Sequence, residues 1–296
     1  MKHISVCICT FKRPTLLRRL LHELNRQVTE GQFSYSVVVA DNDSSQSAKN
    51  VVSEFGASSS LQISYCVEPR QNIALARNKA LGSCTGEFVA FIDDDEIPAQ
   101  DWLCNLFKAC NTYKVAGVLG PVKPQFEHEP PQWVLKGRFF DRPLHDTGYK
   151  MGMWECRTGN VLFVRKILEG VEEPFRSEFG TAGEDIDFFR RMMEKGCVFL
   201  WCNEAVVHEV VPPERCTRMY LLRKALLRGS NFIKHPTDRA MNLFKSFVAV
   251  PIYGLALPVL LLAGQHHFMK YLIKFCDHAG RIMTLLRINP VSERDF

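Results

Sequence analysis

The sequence predicts an α/β chain built on a mostly parallel sheet with flanking helices, continued by a helical C-terminal tail. Three observations carry this. Short apolar runs alternate with stretches of helical period up to about residue 210, the spacing of strands joined by crossover helices. The most apolar run, Phe88–Ile92, contains no turn-former and reads as a strand buried on both faces. Beyond residue 212 the composition turns basic and apolar. Residues 215–296 hold 13 of the 37 Lys and Arg but 4 of the 32 Asp and Glu, which leaves the tail at +9 and the rest of the chain at −4. The expected division is therefore an α/β domain over 1–212 and a basic, hydrophobic helical region over 213–296. With 46% hydrophobic and 23% charged residues, a chain of 296 residues can bury a full core.

Ile4–Cys9 reads as the first strand, with Thr10-Phe11-Lys12-Arg13-Pro14-Thr15 as the loop beyond it. Leu16, Leu17, Leu20, Leu21 and Leu24 form one stripe of a helix over about 15–27. Ser36–Ala40 and Ile63–Val67 are the next strands. Asn72 opens a short helix over Ile73–Gly82. Phe88–Ile92 is the fourth strand, a helix is expected over about Gln100–Tyr113, and Val115–Leu119 is the fifth strand. From Pro121 to Trp154 no period is evident, and an inserted loop region is expected there, with Trp133 and Trp154 pinning it or stacking on sugar faces. Arg157–Arg165 returns to strand texture. An amphipathic helix follows Gly183, and short strands are expected at Val198–Trp201 and Ala205–Val207, the second ending at His208. Neither GxGxxG after the first strand nor GxxxxGK[ST] occurs, which disfavours dinucleotide and P-loop phosphate binding.

The chemistry concentrates at Asp93-Asp94-Asp95, directly after the fourth strand. Three adjacent like charges repel, and packing alone does not call for them. In open α/β sheets, ligands bind beyond the carboxyl ends of strands. Carboxylate oxygens suit hard cations such as Mg²⁺ or Mn²⁺, which also bridge to substrate phosphates. The alternative at this point is a solvated acidic turn before a helix. Gly183-Glu184-Asp185 likewise has two readings, an acidic helix N-terminus that complements the macrodipole or a carboxylate placed for general-base work.

In the tail, a basic helix is expected over Arg218–Lys234. Ser246–Gly264 carries no charge for 19 residues, just enough to cross a bilayer, but Pro251, Gly254 and Pro258 interrupt it and basic residues flank both ends. A broken helix that dips into or lies on the membrane is expected, followed by a basic amphipathic helix over His266–Ile288. The alternative is a helix buried in the protein or a dimer interface. The basic tail lacks aromatic residues interleaved on a polar face, so nucleic acid is not the expected partner. The 11 cysteines form no CxxC pair or zinc spacing and point to a reducing compartment. No leader precedes the first strand, and the cytoplasm is the expected location.

Taken together, Thr10-Phe11-Lys12-Arg13-Pro14, Val39-Ala40-Asp41-Asn42-Asp43, Asp93-Asp94-Asp95 and Gly183-Glu184-Asp185, with Asn72 and Ala76-Arg77-Asn78, resemble the family 2 glycosyltransferases of the GT-A fold over about residues 3–210. Within that family the runs Asn72–Asn78, Phe91–Glu96, Gly183–Phe189 and Val211-Pro212-Pro213 look most like the bacterial exopolysaccharide-assembly glucosyltransferases of the succinoglycan type. The resemblance implies a Rossmann-like sheet and an inverting, metal-dependent transfer from a UDP-sugar. The acceptor it implies is a polyprenyl-diphosphate-linked oligosaccharide at the inner leaflet. It implies that Asp41 accepts a hydrogen bond from the uracil ring, and that Thr10, Phe11 and Arg13 lie beside the nucleotide. Asn72, Arg77 and Asp94 would complete the donor site, Asp93 would hold the ribose or sugar, and Asp95 would bind Mg²⁺ or Mn²⁺ with Asp93. Asp185, with Glu184 beside it, would be the base, and His208 would complete the metal shell or meet the diphosphate. Competing expectations are a polyprenyl-phosphate sugar synthase, whose ionised acceptor needs no base, and a membrane-tethered nucleotide-sugar-binding protein without turnover.

Overall fold

The computed structural model describes residues 1–180, 183–232, 239–288 and 291. The chain divides into two compact units, one formed by Met1–Pro124 with Arg142–Val210 and the other by Gln125–Asp141 with Val211–Phe296. In chain order the first unit opens with β1 (Lys2–Thr10), α1 (Pro14–Leu24), β2 (Phe33–Asp41), α2 (Lys49–Ser58), β3 (Ile63–Val67) and α3 (Ile73–Gly82). Then come β4 (Phe88–Ile92), β5 (Glu96–Pro98), α4 (Trp102–Tyr113), β6 (Gly117–Leu119) and β7 (Val122–Phe126). After α5 (Gln132–Gly137) of the second unit follow β8 (Asn160–Val164), α6 (Glu184–Glu194), β9 (Phe199–Trp201) and β10 (Val207–Val211). The tail holds α7 (Arg218–Phe232), α8 (Arg239–Ala263) and α9 (Gln265–Leu285).

Among the described residues, seven strands form the main sheet in the order β3-β2-β1-β4-β8-β6-β9. β1, β2, β3 and β4 run parallel, β8 is antiparallel to both of its neighbours, and β9 is parallel to β6. The strand-by-strand alternation shows why the apolar runs are continuous. Ile4, Val6 and Ile8 of β1 pack with Leu17, Leu20 and Leu21 of α1, while Cys7 joins Ala74 of α3 and Phe188 of α6 on the other face. β4 splits the same way, Ala90 and Ile92 to one core and Val89 and Phe91 to the other. Burying a large apolar side chain on either face contributes about 1.5–3 kcal/mol. Chain order reverses between β1 and β4, so a crevice opens beyond their carboxyl ends, where Thr10 and Asp93-Asp94-Asp95 lie.

Four expectations are corrected. The helix α2 was not anticipated, because KNVVSEFGAS offers only Val51, Val52 and Phe55 to the core and is broken by Gly56 and serines. The stretch 121–154 is not without structure: it contains β7 and α5, and residues 125–141 belong to the second unit. Trp133 there packs with Phe139 at 5.5 Å and lies under the Arg218 guanidinium at 6.0 Å, which is a packing role. The strand expected to end at His208 continues to Val211, because Val207–Glu209 pair antiparallel with β5 and extend the ladder. Finally, α8 runs unbroken through Pro251 and Pro258. The two prolines stand seven residues, about two turns, apart on an exposed face, and packing of α8 along α9 offsets the hydrogen bonds they remove.

In the second unit, α7 and α8 both pack on α9, and Arg228 pairs bidentately with Asp277 at 2.8 and 2.6 Å. The last residues of the expected basic helix, 233–234, fall outside the described residues. Ala240–Ala263 is long and apolar enough to cross a membrane, with a mean hydropathy of 2.1, and it exposes Leu255 at 81% and Leu262 at 90%.

One buried amide ties the crevice end of the sheet together. Asn160 accepts from Trp102 Nε1 at 2.8 Å and donates to the Pro121 and Ala205 carbonyls at 3.1 and 2.7 Å. Replacing it by Leu leaves the Trp102 indole N–H and the Ala205 carbonyl unpaired, while the Pro121 carbonyl still accepts from Val207 N at 3.0 Å. Asn160→Leu is expected to destabilise the protein by about 3–5 kcal/mol in urea unfolding monitored by tryptophan fluorescence.

Candidate active site

Three loops and one helix start converge beyond the carboxyl ends of β1, β2 and β4. After β1 the backbone turns through Lys12, a non-glycine residue in the left-handed region at φ 54°, and α1 begins with Pro14 at its first positions. This places Thr10 and Arg13 against the acids after β4. Thr10 Oγ1 donates to Asp94 Oδ2 at 2.7 Å, and Arg13 Nη1 reaches Asp94 Oδ1 at 3.1 Å and Asp95 Oδ2 at 3.4 Å. Phe11, partly exposed, packs under the Lys12 ammonium at 5.1 Å. Asp94 is thus a buried tie between two loops. Burial pushes its carboxyl up, and the Arg13 guanidinium opposes that.

Asp93 stands differently. Its side chain is half open to solvent by area, and Arg77 Nη2 lies 3.8 Å away. Its pKa is pushed up to about 6, first by its burial within the crevice, with Arg77 opposing and the Asp95 and Asp94 charges adding to the rise. Glu96 is 1% exposed. Its Oε2 accepts the Asp93 backbone N–H at 3.1 Å, and its Oε1 is buried without a hydrogen-bond partner. Burial first, and then Asp93, hold the Glu96 carboxyl well above its usual range. Gly159 leaves this pair its room: a Cβ there would stand 2.7 Å from Glu96 Oε1 and 2.9 Å from Asp93 Oδ2.

Arg77, on α3, is the buried cation of the site. It pairs with Glu184 at the start of α6, and its guanidinium also lies over the Phe175 ring at 5.6 Å. Burial disfavours its charge, but Glu184, Asp93 and Asp185 more than compensate and keep it protonated. Burial pushes the Glu184 carboxyl up while Arg77 pulls it back. The start of α6 is set by Gly183, whose φ of 95° belongs to the left-handed region. Asp185 follows, with Oδ1 accepting its neighbour's backbone N–H, from Ile186, at 2.8 Å and Oδ2 at 3.9 Å from Arg157 Nε. Asn72 caps α3 by accepting from Leu75 N at 3.1 Å and donates to the Ser177 carbonyl at 2.9 Å, and Asn78 exchanges two hydrogen bonds with Phe175. Those contacts hold the segment that leads to α6. Thr181 and Ala182, just before Gly183, lie outside the described residues.

Two more expected site residues are described by their own contacts. Asp41, at the end of β2, is 0% exposed; Oδ1 accepts from Asp43 N at 3.0 Å, and Oδ2 from Ala48 N at 2.9 Å and Tyr65 Oη at 2.8 Å. These bonds fix the loop after β2 around the Asp41 carboxylate. His208 lies within β10 opposite Ile97, so strand alternation separates it from Glu209 and its partner Glu96. Burial, and then the Lys123 charge, lower its pKa. Three residues at the site had no signal of their own in the sequence. Arg142, in the stretch without period, pairs with Glu209 and is held charged by Glu209, Glu96 and Asp93 against the cost of burial; Arg157 and Gly159 open the strand-like run that follows that stretch.

The donor set is one of hard oxygens, which fits Mg²⁺ or Mn²⁺ better than a softer ion. Among the described residues no three His, Cys, Asp or Glu side chains gather into a metal cluster. Asp93 and Asp95 supply two carboxylates, the number with which Mg²⁺ is held when substrate phosphates complete its shell. The partnerless Glu96 oxygen beside Asp93 adds a further hard oxygen at the same place.

Comparison with known proteins places the chain. The Glycosyl transferase family 2 profile matches residues 5–171. The chain is also 31% identical over 300 residues to the succinoglycan biosynthesis protein ExoM of Rhizobium meliloti, covering 98% of this chain and 95% of that protein. The chain belongs to Glycosyl transferase family 2. A more distant relative is the chondroitin synthase of Pasteurella multocida, 26% identical over 71% of this chain and 25% of the relative. Among solved structures, the mannosyltransferase PcManGT of Pyrobaculum calidifontis, in complex with GDP-Man and Mn²⁺, superposes with a TM-score of 0.64 at 20% identity, over 95% of this chain and 87% of that one. TarS 1–349 of S. aureus, in complex with UDP, gives 0.55 at 17% identity over 98% and 93%. The fold of this family 2 member is that of the GT-A glycosyltransferases.

The Asp93 carboxyl, with its pKa near 6 against roughly 3.9 in an unfolded chain, makes the folded protein bind more protons than the unfolded one between those values. Its contribution to stability therefore falls as pH rises from about 4 to about 6. Asp93→Asn is expected to raise Tm near neutral pH and leave it unchanged at about pH 4, as thermal melts at both values would show.

Proposed function

We propose that this family 2 glycosyltransferase transfers a hexose, such as glucose, from a UDP-sugar to a polyprenyl-diphosphate-linked oligosaccharide. The product would serve bacterial exopolysaccharide assembly, and the anomeric centre would be inverted. The observation that carries the reading is the set of opposed charges around Arg77, with Asp93 of the triplet on one side and Glu184 and Asp185 on the other. Whole-length similarity to a succinoglycan biosynthesis protein supports the acceptor class, and TarS with UDP supports the donor class. PcManGT with GDP-Man and Mn²⁺ supports a nucleotide-sugar donor and a metal.

On this reading Arg13 lies beside the donor diphosphate and offers charge-assisted hydrogen bonds to it. Asp93 and Asp95 would hold Mg²⁺ or Mn²⁺, which supplies Lewis-acid neutralisation of the leaving diphosphate. Asp185 takes the proton of the acceptor hydroxyl. As the oxygen bonds to the anomeric carbon, the bond to the diphosphate oxygen breaks and its electron pair leaves with UDP. Attack opposite the leaving group turns an α-linked donor into a β-linked product. The Ile186 N–H fixes one Asp185 oxygen, and Arg157 Nε lies 3.9 Å from the other. Glu184 holds Arg77, and Arg77 in turn keeps Asp93 and the helix start in register.

A panel of UDP-glucose, UDP-galactose, UDP-N-acetylglucosamine, UDP-glucuronate and GDP-mannose, scored by nucleotide released in the membrane fraction, is expected to give turnover with one UDP-sugar, lost in EDTA. Asp185→Asn is expected to lower kcat by roughly 10²–10⁴ while leaving UDP binding intact. Near-wild-type turnover in that variant would remove the base and favour a lipid-phosphate acceptor, which needs none.

The apolar, solvent-facing residues of α8 and the basic composition of the tail support association with the cytoplasmic face of the inner membrane. Extraction of the full chain from membranes is expected to require detergent. Release by high salt alone would restrict the contact to surface charge.

A further inference from the structure

A second concave site lies on the first unit, at the far edge of the main sheet. Its cavity measures about 540 Å³ and is lined by Leu144, His145, Asp146, Tyr149 and Asn203. The backbone there acts as an extra edge strand. Gly148 N donates to Trp201 O, Trp201 N to Tyr149 O and Met151 N to Phe199 O, all at 2.9 Å. Because β9 runs parallel to β6, Trp201 stands at the same end of the sheet as the crevice.

The side chains form a platform. The His145 and Tyr149 rings stack at 3.9 Å with an interplanar angle of 3°, and Trp201 meets His145 edge-on at 5.4 Å. His145 Nε2 stands 3.2 Å from Glu155 Oε1, and Tyr149 Oη is 3.5 Å from Glu155 Oε2, so one carboxylate fixes both rings. Tyr149 remains 43% exposed and Leu144 55% exposed. The Trp201 ring behind His145 is buried, and its indole N–H has no acceptor.

We infer that this platform binds pyranose residues of the glycan acceptor, remote from the reacting hydroxyl. A pyranose presents a flat array of C–H groups on its face and hydroxyls around its rim. A stacked aromatic pair suits the face, and Asp146 and Asn203 at the cavity wall suit the rim. The position supports the same occupant. The segment carrying the platform starts at Arg142, within electrostatic reach of Asp93 and Glu96, and ends at Arg157 beside Asp185. It therefore runs between the acids after β4 and the candidate base. From β4 the edge strand is four inter-strand spacings away through β8, β6 and β9, or about 19 Å. A nucleotide sugar seated at the β1–β4 crevice does not extend that far, whereas an oligosaccharide of several residues does. This inference rests on the glycosyl-transfer reading above and adds to it that the acceptor is recognised by its length.

The test uses the full-length protein in detergent, with cellotetraose, laminaritetraose and β-1,4-galactotetraose as probes and glucose as the short control, followed by calorimetry and saturation-transfer NMR. UDP is titrated separately. At least one tetrasaccharide is expected to bind, glucose to bind at least about tenfold more weakly, and UDP not to displace the glycan. Tyr149→Ala is expected to weaken glycan binding about tenfold or more and to leave UDP affinity unchanged, while Tyr149→Phe retains glycan binding. Asn203→Ala, at an exposed position, gives a second variant that leaves the platform folded and is expected to weaken binding less than Tyr149→Ala. The inference is overturned if no tetrasaccharide binds, if Tyr149→Ala binds as wild type, or if UDP competes with the glycan. Failure of UDP to bind would count against the donor reading alone, because the glycan arm is measured without nucleotide.

Discussion

A buried guanidinium between two groups of acids is the constraint on which the catalytic unit depends. Arg77 projects from α3 and meets Glu184 at the start of α6 and Asp93 at the end of β4. A buried cation is tolerated only with a close counter-charge, and a buried carboxylate only with a cation, so Arg77 and Glu184 require one another, while the half-open Asp93 adds a second acid 3.8 Å from the guanidinium. Asn72 and Asn78 add the neutral part of the same joint by fastening the segment before α6 to α3. Breaking the buried Arg77–Glu184 pair on one side is far costlier than its net contribution to stability. What the pair secures is position: the candidate base and the acid triplet cannot drift apart while Arg77 lies between them.

Consecutive identical residues do three different jobs in the triplet. The chain leaves β4 and turns at once, with Glu96 N donating back to Asp93 O at 3.1 Å, so successive side chains diverge. Asp94 points into the protein and is held by Thr10 and Arg13; Asp93 faces the crevice and Arg77; Asp95 lies within reach of Arg13. Repulsion among them is accepted because three arginines, Arg13, Arg77 and Arg142, surround the group. The resulting site is nearly balanced, and a diphosphate or a divalent cation entering it changes the pairing without leaving a bare buried charge.

Much of this was legible in the sequence, for a physical reason. Strands buried on both faces leave continuous apolar runs, and charges at their ends stand out against them; β4 followed by three aspartates is the clearest instance. Helix α3 was legible through its asparagine cap, and α6 through a glycine followed by acids. The rest depends on contacts distant in sequence. Nothing in the sequence around Asp41 says that Tyr65 and Ala48 will occupy its oxygens. Arg142 and Arg157 flank residues 148–151, whose backbone is an edge strand fixed by pairing with β9 and not by local pattern. In α2 two serines and a glycine dilute the apolar stripe to three residues.

The same distinction separates the catalytic joint from the edge of the sheet. Sheet order, acid triplet and helix start are each tied to the Arg77 joint or to the topological switch point. The segment from Arg142 to Arg157 is held instead by pairing with the edge of the sheet. Yet it touches both poles of the chemistry, through Arg142 near Asp93 and Arg157 near Asp185. A scaffold that fixes the reaction and lends it a separately held edge segment can change its glycan partner without disturbing the transfer step, which is how one fold serves many linkages.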